Sequence, residues 1–358
     1  MDGLRGEGGG AIPAQPAGAA ARARAAAEGP QGQGQAETVR LFAAAYRMLG
    51  SAAAAEQVVR EVLAAGPDGA AADGGAPDLD ALVRAVFAAV LHRADVARPR
   101  REAHPGPWLP EPVLTAGGAL GPLSTPALRA AVSMPRLVLL ERMPPAERAC
   151  SVLQELFGYG PAGSAAVLGL AETRCAALEH RARQRLREDE GAARTAADEE
   201  ARRPAVQELL RAATEADQEA LEVLLADDVV AWSDGGGSGV PRRPVLGVAK
   251  VARFLAGLLA KAPMGTWGNL AEVNGDAAVV ATVTSGVVGA LVPEFGPQRL
   301  VVGVRTISDP ARLAYLGRQW AAAGATAAVP AQVAGAAGAA VARARRSGAG
   351  SPVPPPAL

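Results

Sequence analysis

The apolar pattern of this chain changes period once. Before Leu225 apolar side chains recur three and four residues apart; from Val229 onward they come in short β-branched runs, VVAWSD, AAVVATVTSGVVGALV and LVVGVRTI. The first spacing lines one stripe of a helix, and runs of the second kind, set between Gly and Pro turns, suit strands. The 358 residues therefore divide into helical modules followed by an α+β module, each long enough for a core of its own.

In the helical half, Leu41, Ala45, Met48 and Leu49 share a stripe, and Gly50-Ser51 interrupts it. Ser51 can cap a second helix, whose apolar face is Val58, Val59, Val62 and Leu63. After the loop 66–78, a third helix is predicted from Leu79 to Val96 with Leu82, Val83, Val86, Val90 and Leu91 inward. Residues 104–126 are too rich in Pro and Gly for regular helix and read as a linker carrying one large aromatic, Trp108. Helix resumes over 127–187, and Pro204 to Leu225 reads as one amphipathic helix. Residues 1–36 and 321–358 hold too few large apolar groups to offset their ordering entropy and are expected to be disordered tails.

Residues 144–188 carry the most chemistry. Pro144-Pro145 opens a helix with Val152, Leu153, Leu156 and Phe157 on its core face, and Gly158 ends it. A short helix containing Ala165 to Leu168 follows, Gly169 makes a tight turn, and a further helix runs from about Ala171 to Arg187 with Cys175, Leu178, Ala182 and Leu186 inward. Two helices joined by a glycine turn make a helix-turn-helix. Whole-chain charge hides its character, since Lys+Arg and Asp+Glu are both 36. Locally, Arg174, Arg181, Arg183, Arg185 and Arg187 face a single Glu179 between Thr173 and Arg187. Such a face suits phosphate contacts, with base reading by Glu172, Thr173 and Arg174 at the helix start.

Other classes are disfavoured. The two cysteines, Cys150 and Cys175, stand far apart without CxxC spacing, which argues against a disulfide framework or a zinc site and fits small buried helix residues in a reducing cytoplasm. No metal-ligand spacing accompanies His92, His104 or His180, so no metal or cofactor is expected. The amino-terminal stretch lacks the apolar core of a signal peptide, and Ala321 to Val341 is too weakly apolar to span a bilayer. A membrane partner is therefore not expected.

Several stretches resemble one family. PPAERACSVLQELFGY (144–159) and LGLAETRCAALEHRARQRLRE (168–188) resemble the promoter −35-reading domain of extracytoplasmic-function RNA polymerase sigma factors. LFAAAYRMLGSAAAAEQVVREVL (41–63) resembles the start of their first domain, which binds polymerase and opens the −10 element. GPWLPEP (106–112) resembles the linker of the subgroup with a fused SnoaL-like domain, and WSDGGGSGVPRRPVLG (232–247), VARFL (251–255), VNG (273–275) and DPARL (309–313) resemble that domain. The resemblance implies a multidomain chain: a σ2-like helical domain over 37–103, the linker 104–126, a σ4-like helix-turn-helix over 127–190, and a SnoaL-like α+β cone with a curved sheet over 204–320. It implies RNA polymerase core and promoter DNA as partners, with Glu56, Gln57, Arg60 and Glu61 toward polymerase. It also implies regulatory contacts at Trp108, Leu109, Pro110, Glu111 and Pro112, at Asp234, Gly235, Gly236 and Gly237, and at Asp309, Pro310 and Leu313. Within the cone, Val251, Phe254, Leu255 and Leu258 are expected to form the helix face that closes it.

The first domain departs from the family pattern. AAEQVVRE (54–61) has lost acids at Ala54 and Gln57 and gained Arg60, Ala81 stands where a tryptophan usually begins the −10 helix, and HRAD (92–95) replaces a DRLR-like stretch. In the cone, DGGGK becomes DGGGS and NPDKL becomes DPARL. Two further readings follow: a divergent sigma-like regulator that has lost initiation, or a cone enzyme with a DNA-binding appendage. For the last, Asp228, Asp234, Glu272 and Glu294 are the available bases, and no histidine lies in the cone. The cone could also hold a small ligand, which no residue pattern supports.

Overall fold

The computed structural model describes residues 30–65, 78–115, 131–189, 196–236, 239–296, 298–324 and 330–332. Residues 1–29, most of the loop 66–78, the linker beyond 115, Gly237 and 333–358 lie outside them.

Three helices open the chain: α1 (Pro30–Leu49), α2 (Ala52–Ala65) and α3 (Leu79–Glu102). Gly50 ends α1 with a left-handed φ of 65°, and the Ser51 hydroxyl accepts a 3.2 Å bond from the Ala54 amide at the start of α2. Two expectations are corrected. Residues 30–36, assigned to a disordered tail, form the first turns of α1, because extending a helix already anchored by packing costs little. The third helix does not stop at Val96 but runs through Pro99 to Glu102. Its last turn is held by tertiary contacts, with the Arg101 guanidinium donating to the Leu49 carbonyl at 3.1 Å.

After an extended stretch from His104 to Thr115 come α4 (Met134–Glu141), α5 (Pro145–Phe157), α6 (Pro161–Leu168) and α7 (Glu172–Asp189). Gly158 and Gly169 close α5 and α6 in left-handed geometry at φ 73° and 65°, where a side chain would be strained. These helices do not form a core apart from the first three. Leu41, Tyr46, Val83, Phe87 and Val90 are buried in one cluster with Leu137, Val152 and Leu153, and Tyr315 from the far end of the chain reaches into it.

The α+β part starts with α8 (Ala196–Thr214) and α9 (Gln218–Leu224). The single helix expected from Pro204 to Leu225 is thus two helices. Ala216 takes a left-handed φ of 53°, and the Asp217 carboxylate accepts from the Ala220 amide at 3.2 Å, a cap that competes with helix continuation. Strands β1 (Leu225–Asp234), β2 (Val245–Leu246), β3 (Trp267–Val273), β4 (Asp276–Val283), β5 (Gly286–Phe295), β6 (Val301–Ile307) and β7 (Pro330–Gln332) make one sheet in the order β2-β1-β6-β5-β4-β3-β7. The β1–β6 pair is parallel and the other pairs are antiparallel. Register shifts in the β1–β6, β4–β5 and β5–β6 ladders bend the sheet. One face packs on α8, α9 and α10 (Val248–Ala260) through Leu209, Leu221, Val251 and Leu255, with Leu259 in the place expected of Leu258. The other face is covered by the linker, by Met134 and by α11 (Pro310–Ala322), through Leu109, Leu114, Leu313 and Leu316. The end of α11 and the whole of β7 fall within the expected tail and correct that expectation: α11 continues to Ala322 and β7 pairs Gln332 with Trp267, so residues 321, 322 and 330–332 are structured. Among the described residues no helix is long and apolar enough to cross a membrane.

Candidate nucleic-acid interface and the linker junction

The helix-turn-helix has the inward and outward faces its spacing predicts. Cys175, Leu178, Ala182 and Leu186 are buried, while Glu172, Thr173, Arg174, Arg181, Arg183, Arg185 and Arg187 are exposed. Cys150 and Cys175 are free thiols buried together with Leu178 between α5 and α7, where burial first, and then the neighbouring thiol, pushes Cys150 up to about 12. Three arginines have carboxylate neighbours inside the module. Arg181 and Arg185 reach the buried Glu147 at 3.5 and 3.1 Å, and Arg183 reaches the buried Glu179 at 3.8 Å. These side chains stay about half exposed (53%, 45% and 47%) and therefore open to phosphate.

On α2, Glu56 is half-buried and Gln57, Arg60 and Glu61 are exposed. Glu56 pairs with Arg60 at 3.3 Å and with Arg318 of α11 at 3.4 Å. Hydrogen bonds from Arg93 and then Gln57 hold the Glu61 carboxyl below the usual range.

Several of the expected regulatory residues meet at one junction, while Glu111 is held elsewhere and Gly237 lies outside the described residues. The Asp234 carboxylate accepts from the Leu109 amide at 3.1 Å and contacts the His104 ring nitrogen at 2.9 Å. Its backbone oxygen accepts from Ser308 and Asp309 at 2.8 and 3.3 Å. Thus the glycine loop, the linker and the start of α11 meet at one aspartate. Asp309 caps α11 through the Ala311 amide at 3.0 Å, Pro310 occupies its first turn and Leu313 is buried. Trp108 lies under the Arg312 guanidinium, 3.3 Å from its centroid, with Arg101 at 5.5 Å and His104 edge-on. Glu111 is buried between Pro110 and Pro112; its carboxylate accepts from Ser51 at 2.8 Å and from the Ala53 amide at 3.1 Å, fastening the linker to the start of α2. Gly236 has φ 60°, and a Cβ there would sit 2.8 Å from the Asp309 Cγ. Gly236→Ala is expected to cost about 1–2 kcal/mol, read as a lowered urea midpoint; an unchanged midpoint would mean the loop is not held against α11.

Sequence reasoning missed the charged residues that join the helical modules. Arg47 is fully buried and donates to Glu155 at 2.5 Å, and Arg136 reaches the other Glu155 oxygen at 2.6 Å. Arg148 donates to the Met48 carbonyl at 2.6 Å and the Glu141 carbonyl at 2.9 Å, at the ends of α1 and α4. Burial lowers Arg148 to about 10 against the pull of Glu141. Arg312 was also missed, although its neighbours in DPARL were singled out.

A helix-turn-helix with an arginine-bearing second helix, a helical partner domain and a curved α+β domain seated on the linker is the build of a sigma factor with a fused SnoaL-like domain. The chain belongs to the extracytoplasmic-function RNA polymerase sigma factors. It is 33% identical over 254 residues to the ECF RNA polymerase sigma factor SigJ of Mycobacterium tuberculosis (strain ATCC 25618 / H37Rv), covering 70% of this chain and 80% of that relative. The crystal structure of M. tuberculosis SigJ matches with a TM-score of 0.61 at 26% identity, covering 79% of this chain and 98% of that one. No family model matches the chain.

Proposed function

We propose that this protein directs RNA polymerase core to promoter DNA in the cytoplasm, and that its C-terminal cone regulates that step rather than catalysing a reaction. The observation that carries this reading is α7, with its apolar stripe buried and its arginines exposed along the outer face, three of them about halfway. In this reading Glu172, Thr173 and Arg174 read base edges, Arg181, Arg183, Arg185 and Arg187 hold phosphates, and Glu56, Gln57, Arg60 and Glu61 face polymerase. The regulatory input enters where Trp108 to Pro112 meets Asp234 to Gly236 and the segment Asp309 to Leu313. Transcription from a promoter template with core polymerase tests it: product dependent on the full chain is expected, and failure to form a holoenzyme would overturn it.

Arg181→Ala with Arg185→Ala should weaken DNA binding and flatten the log-affinity against log-salt slope by up to about 2, near one per lost phosphate contact. The measurement is a titration of promoter DNA across salt concentrations. An unchanged slope would remove α7 as the DNA face.

A further inference from the structure

The hairpin between β3 and β4 turns at Asn274-Gly275, with φ 54° and 75°. Asn-Gly is a common choice for such turns, which normally face water. Here Asn274 is fully buried. Its Nδ2 donates to the Tyr46 hydroxyl of α1 and to the Val132 carbonyl ahead of α4, each at 2.8 Å. Its Oδ1 accepts from the Val113 amide of the linker at 3.1 Å, and its backbone amide donates to the Val113 carbonyl at 2.9 Å. Gly275 donates to the Thr115 hydroxyl at 2.8 Å. Tyr46, itself fully buried, donates its hydroxyl proton to the Glu111 carbonyl, so its oxygen is left to accept from Asn274. The amide orientation is fixed by these partners, since a flipped amide would set oxygen against oxygen at Val132. One side chain of the cone is thus bonded to the first helical domain, the linker and the second helical domain together.

We propose that Asn274 is a clamp through which the cone holds the two helical domains closed on each other, and that release of this turn accompanies their separation. The proposal rests on the sigma-factor reading. Promoter elements at −35 and −10 lie about 25 base pairs apart, on the order of 80 Å at about 3.4 Å per base pair. A compact unit of about 260 residues, as the described residues make, has a radius of gyration near 18 Å. Two domains sharing one core cannot reach both elements, so they must part, and the bonds of Asn274 cannot survive that parting.

The test uses the full-length free chain. Asn274→Gly keeps the left-handed backbone, which glycine adopts freely, and removes the amide; Tyr46→Phe removes one partner of that amide with little change in volume. Small-angle scattering is expected to give a clearly larger radius and a more mixed population for Asn274→Gly than for the parent chain, with a smaller widening for Tyr46→Phe. Far-ultraviolet circular dichroism should be unchanged in both. Binding to core polymerase should tighten by about tenfold in Asn274→Gly, within the usual range of coupling between sites. Scattering that matches the parent chain would overturn the clamp. So would expansion accompanied by loss of helical signal, which would make Asn274 a general folding residue. If the variants open but no form of the chain binds polymerase, the clamp stands and the sigma reading falls.

Discussion

Glu155→Ala should destabilise the closed chain by about 3–5 kcal/mol at neutral pH, because it strands the fully buried Arg47 guanidinium without a counter-charge. Burial by itself would push the Glu155 carboxyl up, but Arg47 and Arg136 more than reverse this and hold it down at about 2. A carboxyl depressed in the folded state gives stability that is full above its unfolded value, near 4.3, and that fades as pH falls toward 2. The folded-state contribution is on the order of 3 kcal/mol. The difference between parent and variant should therefore be large in urea unfolding at pH 7 and shrink as the pH is lowered from about 4 to about 2. A difference that stays constant across that range would mean that lost packing, not the ion pair, is responsible. Ser151, which also donates to Glu155 at 2.9 Å, keeps the carboxylate aimed at Arg47 and should show a weaker effect in the same direction when changed to Ala.

The parts of this fold legible in the sequence are those whose causes are local. Gly158 and Gly169 terminate helices because a left-handed residue is needed there, and the stripe Cys175, Leu178, Ala182 and Leu186 follows from helical spacing alone. Motif resemblance marks Asp234, Asp309 and the linker as contact residues but not as one another's neighbours; that a single aspartate joins them is visible only in the geometry. What stayed hidden depends on partners distant in sequence. Pro99 reads as a stop, yet the helix continues because Arg101 is anchored on Leu49 and near Trp108. Arg47 reads as one more surface arginine until α5 brings Glu155, 108 positions away, against it. Asn274-Gly275 announces a turn, but nothing in the pattern says that the turn is buried. A usable signal existed for Arg312, since a lone linker tryptophan invites a cation over its ring.

Gly50→Ala is the second substitution with a large expected effect. Gly50 lies at the point where the last carbonyls of α1 are taken up by three different segments: Met48 by Arg148 at 2.6 Å, Leu49 by Arg101 at 3.1 Å, and Gly50 by the Glu111 amide at 2.9 Å. Its φ of 65° costs an alanine about 1–2 kcal/mol on backbone grounds. A Cβ would also fall 1.8 Å from the Glu141 Oε1. That carboxylate has little room to retreat: it is only 8% exposed, burial pushes it up, and Arg101 and Arg148 pull against that rise. Displacing it should add about 1–3 kcal/mol, as overpacking does elsewhere, for a total of about 2–5 kcal/mol. A double-mutant cycle separates the two contributions. With Glu141→Ala already present, Gly50→Ala should cost only the backbone part, about 1–2 kcal/mol. Urea unfolding of the parent, the two single variants and the double variant gives the four values needed. If Gly50→Ala costs the same whether or not Glu141 is present, the carboxylate is not what reserves this position for glycine, and the packing of α4 against the end of α1 is looser than the distances imply.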